Sequence, residues 1–579
     1  MSIFKLFKCL REYKKPAIIT PLLMVIEVGM EVFLPLVIAW FGTAIEAGNI
    51  ELMIKYGCLM VLVAFVSLFA GMFAGKYCAK ASTGFAKNLR KDMFTNIQNF
   101  SFSNIDKFSS SSLVTRLTTD VTNVQMSFMM VIRTAIRSPL MLIFSIVMSF
   151  SINSTLPIIF CVTIPVLSFG IILITKNAMP IFKRVFKRYD KLNESVQENI
   201  KGMRVVKAYV REDYESKKFN SVSNDLSKEF TKAERILALN APIMTFCLNF
   251  AFIAIALIGS NLIINRFEGL TVFSLSSMLT YSFQVLISLQ MLSMIFVMLT
   301  ISAESARRVE EVINEKSSMV NPENPVTEVK DGSIEFKNVN FKYSKDAKRF
   351  VLENVNLKIE SGETVGIIGG TGSSKTTLVN LISRLYDVSD GSVLVGGVDV
   401  RDYDMKLLRD KVSVVLQKNV LFSGTIKDNM RWGNPDATDE EIVKACKIAQ
   451  ADGFISTFND GYDTYIEQGG VNVSGGQKQR LCIARAILKK PNVLILDDST
   501  SAVDMKTDAL LRKAFKEEIP NITKIIIAQR IASVEDADKI IVLDGGKINA
   551  IGTHEELLKN NEIYREVYSS QNRATAEVK

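Results

Sequence analysis

The chain has 579 residues, 22% of them charged, a formal net charge of +9, and a positive mean hydropathy of +0.21. That length exceeds one compact core, and the pairing of high hydropathy with many charges requires a very apolar part beside a soluble part. The seven cysteines are scattered without C-x-x-C or metal-ligand spacing, and one histidine, His554, leaves almost no raw material for a His-based metal site or for histidine catalysis.

The first sixteen residues carry Lys5, Lys8, Arg11, Lys14 and Lys15 ahead of an apolar run. The run is too long for a signal-peptide core and no small-residue cleavage site follows, so residues 1–16 read as an amphipathic interfacial helix. Six long apolar segments follow at about 17–43, 53–78, 127–151, 155–176, 237–264 and 271–300, each at or above the roughly 20 residues a helix needs to cross a bilayer. The short connections at 44–52 and 152–154 lack Lys and Arg, and 265–270 holds only Arg266. The long ones, about 79–126 and 177–236, are rich in them: Lys87, Arg90, Lys91, Lys183, Arg184, Lys187, Arg188 and Lys191. The excess positive charge therefore reads as membrane topology rather than nucleic-acid binding, with the long loops and both termini in the cytoplasm. The loops also read as polar extensions of the membrane helices.

Within the spans, Glu27 and Glu31 lie one turn apart on one helix face, and Arg133 and Arg137 share a face of the third. Acids at that depth face a cavity or a partner: they recognise a cationic substrate or pair with groups inside the bundle. Met244, Phe246, Met278, Phe283, Met291, Met294 and Phe296 on spans five and six either line an adaptable pocket or face lipid and neighbouring helices.

The sixth helix continues through 301–313, and Asn321-Pro322 and Asn324-Pro325 mark a linker over 314–332. The division is thus a membrane domain over 1–313 and a second domain over 333–579. From 333 short β-branched runs alternate with helical stretches, an α/β pattern. Val365-Gly366-Ile367-Ile368 reads as a buried strand running into Gly369-Gly370-Thr371-Gly372-Ser373-Ser374-Lys375-Thr376-Thr377 and an apolar helix. Strand, Gly-rich turn and helix is either an ordinary strand–helix turn or the context of a phosphate-binding loop, in which bare backbone N–H groups would face a polyphosphate, Lys375 would reach the β/γ-phosphates and Thr376 would hold Mg²⁺. The strict pattern has Gly where Ser374 stands. Val493-Leu494-Ile495-Leu496-Asp497 is either a strand delivering a carboxylate to Mg²⁺ or a core strand ending in an incidental acid.

Between these lies Val473-Ser474-Gly475-Gly476-Gln477-Lys478-Gln479-Arg480. With the other two motifs at their spacing, the whole chain resembles the ATP-binding cassette (ABC) family, in its exporter branch. The resemblance implies six transmembrane helices with long cytoplasmic extensions, fused to an α/β P-loop NTPase domain of ABC type. Tyr343 then matches the aromatic that stacks on adenine, Gln417 the glutamine that senses Mg²⁺ and couples to the membrane domain, and Ser501-Ala502-Val503-Asp504 the D-loop. Asn104 to Phe108 and Arg204 to Glu212 resemble the loops that dock onto cassettes. In this family two cassettes pair head to tail, so Ser474-Gly475-Gly476-Gln477 completes the partner's ATP site.

Two positions depart from the family pattern. The residue after Asp497 is Asp498 where hydrolytic members carry Glu, and Gln529 stands where a His contacts the γ-phosphate. Asp falls about 1.5 Å short of Glu, and a displacement of about 1 Å can cost roughly 100-fold in rate. An amide donates a hydrogen bond but cannot become a cation. Both changes fall on this chain's own ATP site, which implies a degenerate site and a second, non-identical half-transporter bearing Glu and His. The bland alternative is an active homodimer that tolerates both. The expected activity is ATP-driven export of lipophilic or amphipathic small molecules across the cytoplasmic membrane, as in bacterial multidrug exporters. A lipid or peptide exporter with the same engine, or an ATP-gated regulator, are the alternatives.

Overall fold

The computed structural model describes residues 5–265, 270–344, 346–499 and 503–577, with the side chains of 183, 186, 187, 190, 194, 300, 301 and 572–577 left aside. Arg266, Ser501 and Ala502 lie outside the described residues, as do the side chains of Lys183 and Lys187. The chain forms two compact units, Met1–Gln98 with Ser109–Glu315, and Asn99–Phe108 with Lys316–Lys579.

The first unit is helical: α1 (Lys14–Glu46), α2 (Ile50–Gln98), α4 (Ser110–Thr115), α5 (Val121–Ile132), α6 (Thr134–Ile152), α7 (Ile158–Ala208), α8 (Glu212–Leu237), α9 (Asn240–Ile264) and α10 (Val272–Asn314). Helix α3 (Phe102–Phe108) belongs to the second unit. Among the described residues, six stretches are long and apolar enough to cross a bilayer: Phe7–Glu46, Ile50–Gln98, Ser110–Ile152, Ile158–Phe182, Glu212–Ile264 and Val272–Asn314. They contain four of the six expected spans and cover the other two, 155–176 and 271–300, from 158 and 272 onward. The third is not one continuous helix. A π-helical turn, Arg116–Asp120, precedes α5, and Arg133 (φ −114, ψ −69) separates α5 from α6, six residues before Pro139. Ahead of α1, a 3₁₀ segment Phe7–Tyr13 is interrupted at Arg11 (φ 40). Leu6 and Leu10 are buried, Phe7 packs edge-on against Phe128, and Asn88 Nδ2 donates to Cys9 O (3.0 Å), so this segment also packs against the bundle.

Several polar groups inside the bundle pair with one another, because lipid offers no partner. Near Pro35, which removes a donor from the α1 ladder, the Tyr281 and Ser277 hydroxyls of α10 donate to the carbonyls of Val32 (2.8 Å) and Pro35 (2.6 Å). Asp120, wholly buried, accepts from Arg308 Nε (2.8 Å) and Nη2 (2.5 Å) and from Ser305 Oγ (2.9 Å).

The second unit is α/β. Strands are β1 (Ile334–Phe341), β2 (Leu352–Ile359), β3 (Thr364–Ile368), β4 (Asp390–Val395), β5 (Val398–Asp399), β6 (Val412–Val415), β7 (Gly424–Thr425), β8 (Tyr465–Ile466), β9 (Val493–Asp497), β10 (Thr523–Ile527), β11 (Lys539–Asp544) and β12 (Lys547–Gly552). A four-stranded antiparallel sheet runs β2-β1-β4-β5, and a six-stranded sheet runs β12-β11-β3-β10-β9-β6, parallel except for edge strand β12. β9 and β10 are buried at every position, as parallel strands covered on both faces must be. The register sets Ile527 beside both Asp497 and Ile367. The carboxyl ends of β3, β9, β10 and β6 therefore open on one edge, where parallel α/β sheets bind ligands.

Candidate functional site

The turn between β3 and α11 (Lys375–Ile382) is built for a close backbone approach. A Cβ on Gly369 would lie 2.3 Å from the Leu543 carbonyl oxygen, so only glycine fits, whereas Gly370 faces open space. Gly372 (φ +84) and Ser374 (φ +75, ψ 25) are left-handed. Ser374 thus adopts the conformation that its glycine equivalent takes freely, at a cost of about 1–2 kcal/mol for a residue with a Cβ. Lys375 Nζ donates to the carbonyls of Gly369 (2.7 Å) and Gly370 (2.9 Å), folded along the loop. Burial lowers the Lys375 pKa, opposed by the charges of Asp498 and Asp497. The Tyr343 hydroxyl lies 2.9 Å from Thr377 Oγ1, which ties the aromatic to the start of α11.

On the opposite wall, Thr376 Oγ1 donates to Asp497 Oδ1 (3.1 Å). Asp497 is 2% exposed, and burial raises its pKa while the Thr376 bond and Lys375 lower it. An adjacent hydroxyl and carboxylate are hard oxygen donors suited to one Mg²⁺ beside a triphosphate. Asp498 follows with φ +50, its N–H donating to Ile527 O (3.1 Å). Its Oδ2 accepts from two side-chain amides, Gln529 Nε2 (2.7 Å) and Gln417 Nε2 (3.3 Å). One cleft is lined by Gly369, Gly370, Thr371, Gly372, Ser373, Ser374, Lys375, Thr376, Thr377, Gln417, Asp497, Asp498 and Gln529, with Val567 from the C-terminal helix. The sequence signals nothing for Val567, which sits in no motif.

Ser474 is not among the residues lining that cleft. It caps α12 (Gly475–Leu488) in a reciprocal box: its Oγ accepts from Gln477 N (3.3 Å) and Gln477 Oε1 accepts from Ser474 N (2.9 Å). Gly475 and Gly476 form the first turn, where helix N–H groups and the dipole favour an anion.

Helix α3 meets the same unit through Asp106, whose Oδ2 accepts from the Tyr386 hydroxyl (2.8 Å), and through Phe102, 6.1 Å from the Tyr386 ring. Tyr386 in turn stands edge-on to Tyr343 at 5.1 Å. Burial and the Asp106 carboxylate push the Tyr386 phenol up, so it stays a donor. Sequence reading named Tyr343 and 104–108 but not Tyr386, which belongs to neither motif.

In the helical unit, Arg137 joins Glu27 and Glu31: Nη1 lies 2.5 Å from Glu27 Oε1 and Nη2 lies 2.6 Å from Glu31 Oε2. Glu27 Oε2 is buried and has no hydrogen-bond partner among the described residues.

Residues 17–299 match the ABC transporter transmembrane region family, and residues 352–501 the ABC transporter family of the cassette. The uncharacterized ABC transporter ATP-binding protein YfiB of Bacillus subtilis (strain 168) is 36% identical over 571 residues, covering 98% of both chains. The uncharacterized ABC transporter ATP-binding protein Rv1273c of Mycobacterium tuberculosis (strain ATCC 25618 / H37Rv) is 34% identical over 568 residues, 97% of each. Among solved structures, a bacterial Atm1-family ABC exporter with ATP bound superposes with a TM-score of 0.82 at 23% identity, over 97% of this chain and 98% of that one, which shows a shared fold. The chain is a multi-pass membrane protein with a cytoplasmic nucleotide-binding domain, and it belongs to the ABC transporter family.

Proposed function

We propose that this chain is the non-hydrolytic half of a heterodimeric exporter. Its cleft binds ATP with Mg²⁺: Tyr343 stacks on the base, Gly369 to Thr377 cradle the phosphates, and Thr376, Asp497 and Gln417 face the metal. Bound Mg²⁺ neutralises phosphate charge and fixes the triphosphate. The attacking water needs a carboxylate in reach and a polar group on the γ-phosphate. This site offers the short Asp498, already engaged by two amides, and an uncharged Gln529. That engaged aspartate is the observation carrying the reading. Ser474, Gly475, Gly476 and Gln477 serve a different ATP, held by a second half-transporter with Glu and His at the two altered positions.

The substrates are lipophilic or amphipathic, with cations favoured. Glu27 and Glu31 bring two negative charges against the one positive charge of Arg137, and Glu27 keeps a carboxylate oxygen unpartnered among the described residues.

The test is ATP turnover of this chain purified alone, as wild type and as Asp498→Glu/Gln529→His. The wild type is expected to turn over well below one per second. The double variant is expected to rise about 10- to 100-fold, as a repositioned base and a restored phosphate contact allow. Wild-type turnover of several per second, or no gain in the variant, would end the degenerate-site reading.

A further inference from the structure

The peptide backbone leaves β10 at Ile527, and two groups just beyond it, the Gln529 carbonyl and the Ile531 N–H, lie past the end of the ladder. One side chain takes both. Gln571, on the C-terminal helix Glu562–Glu577, donates from Nε2 to Gln529 O (2.8 Å) and accepts at Oε1 from Ile531 N (2.9 Å). A carboxamide is a peptide group in miniature, and here it binds the loop as a neighbouring strand would. The helix that carries it is itself fixed. Tyr564 is fully buried, with its hydroxyl 2.7 Å from His554 Nδ1 and its N–H donating to Asn561 Oδ1 (2.9 Å). Asn561 Nδ2 bonds Asn549 Oδ1 of β12 (2.7 Å). One turn before Gln571, Val567 lines the phosphate cleft.

Gln529 is thus held at two points: its side chain donates to Asp498 (2.7 Å) and its carbonyl accepts from Gln571 (2.8 Å). We infer that Gln571 is a positioning residue for this chain's nucleotide site: the C-terminal helix sets the Gln529 loop and thereby how long the site retains ATP. The inference rests on Gln529 being the γ-phosphate contact. It assigns the chain's last helix, which carries none of the nucleotide motifs, a part in the ATP cycle. Both partners are uncharged, so the effect is geometric, and shifts of about 1 Å matter in such contacts.

The experiment is the dissociation rate of labelled ATP from the full-length transporter in lipid nanodiscs, in wild type, Gln571→Ala, Gln571→Glu, Gln529→Ala and Gln571→Ala/Gln529→Ala. Gln571→Ala is expected to speed release about fivefold, within the range of coupling between linked sites, with an unchanged melting temperature. Glu keeps the acceptor for Ile531 but sets an acceptor-only carboxylate oxygen against the Gln529 carbonyl, so Gln571→Glu releases ATP at least as fast as Gln571→Ala. The double variant releases no faster than Gln529→Ala, because one residue acts through the other. If Gln529→Ala speeds release and Gln571→Ala does not, or if the two effects add, Gln571 has no such role while Gln529 keeps its own. If Gln529→Ala releases ATP at the wild-type rate, Gln529 is not the phosphate contact and both readings fall.

Discussion

Glu27, Glu31 and Arg137 form a charge cluster whose parts cannot be removed one at a time without consequence. Deleting one partner leaves the other charges uncompensated beside the buried Glu27. A fair test of cation recognition therefore neutralises all three. In Glu27→Gln/Glu31→Gln/Arg137→Gln, the KM for export of a cationic dye is expected to rise about tenfold, equivalent to roughly 1.4 kcal/mol of lost attraction, while that for a neutral amphipathic dye stays within about twofold. Dye transport in proteoliposomes reads both. Equal KM shifts for the two dyes would make the cluster structural. The sequence put Glu27 and Glu31 on one face and Arg137 on another span, yet spacing along a helix does not say which arginine reaches across. Arg137 does so with a distinct nitrogen for each carboxylate, whereas Arg133 sits at the break between α5 and α6. Ser374 is the converse case. The motif required a residue able to turn left-handed there, and the backbone does turn, with serine bearing the strain.

Elements reveal what motifs leave out. The strand–loop–helix of the phosphate site, the buried strand ending in Asp497 and the switch strand are legible because period, burial and turn chemistry agree over short windows. The contact between α3 and Tyr386 is not, since it joins residues 280 apart through one hydroxyl. Tyr386 touches the helix on one side and Tyr343, 2.9 Å from Thr377, on the other. Tyr386→Phe keeps the ring beside Tyr343 and deletes the bond to Asp106, a hydrogen bond to a charged acceptor of about 1.5–3 kcal/mol. ATP affinity is expected to stay within about twofold, as the ring contact survives, while substrate-stimulated ATP turnover falls about fivefold. Asp106→Asn, which still presents an acceptor oxygen, is expected to fall less. Nucleotide titration and ATPase assays with and without transport substrate decide it; an affinity loss in Tyr386→Phe matching its turnover loss would place the hydroxyl's effect in binding alone.

On the scale of the whole transporter, asymmetry separates a heterodimer from a homodimer without identifying the partner. In a homodimer every cleft carries the same Asp498 and faces the same Ser474, so damaging either residue damages both ATP sites. In a heterodimer the two residues of this chain belong to different sites: Asp498 to the cleft that scarcely cuts ATP, Ser474 to the partner's cleft that does. Ser474→Ala removes a donor to that phosphate, and loss of one such preorganised donor costs about 100- to 1000-fold at the step it serves. It also removes a helix cap worth about 1 kcal/mol, too little to unfold a domain with two large hydrophobic cores. Asp498→Asn keeps shape and an acceptor oxygen and changes the charge of a residue that, on the proposed reading, takes little part in hydrolysis. In the transporter isolated from its native membrane, Ser474→Ala is expected to lower steady ATP turnover by at least about tenfold, and Asp498→Asn by less than about twofold. If both substitutions abolish turnover alike, the two sites are equivalent, and this chain works with a copy of itself.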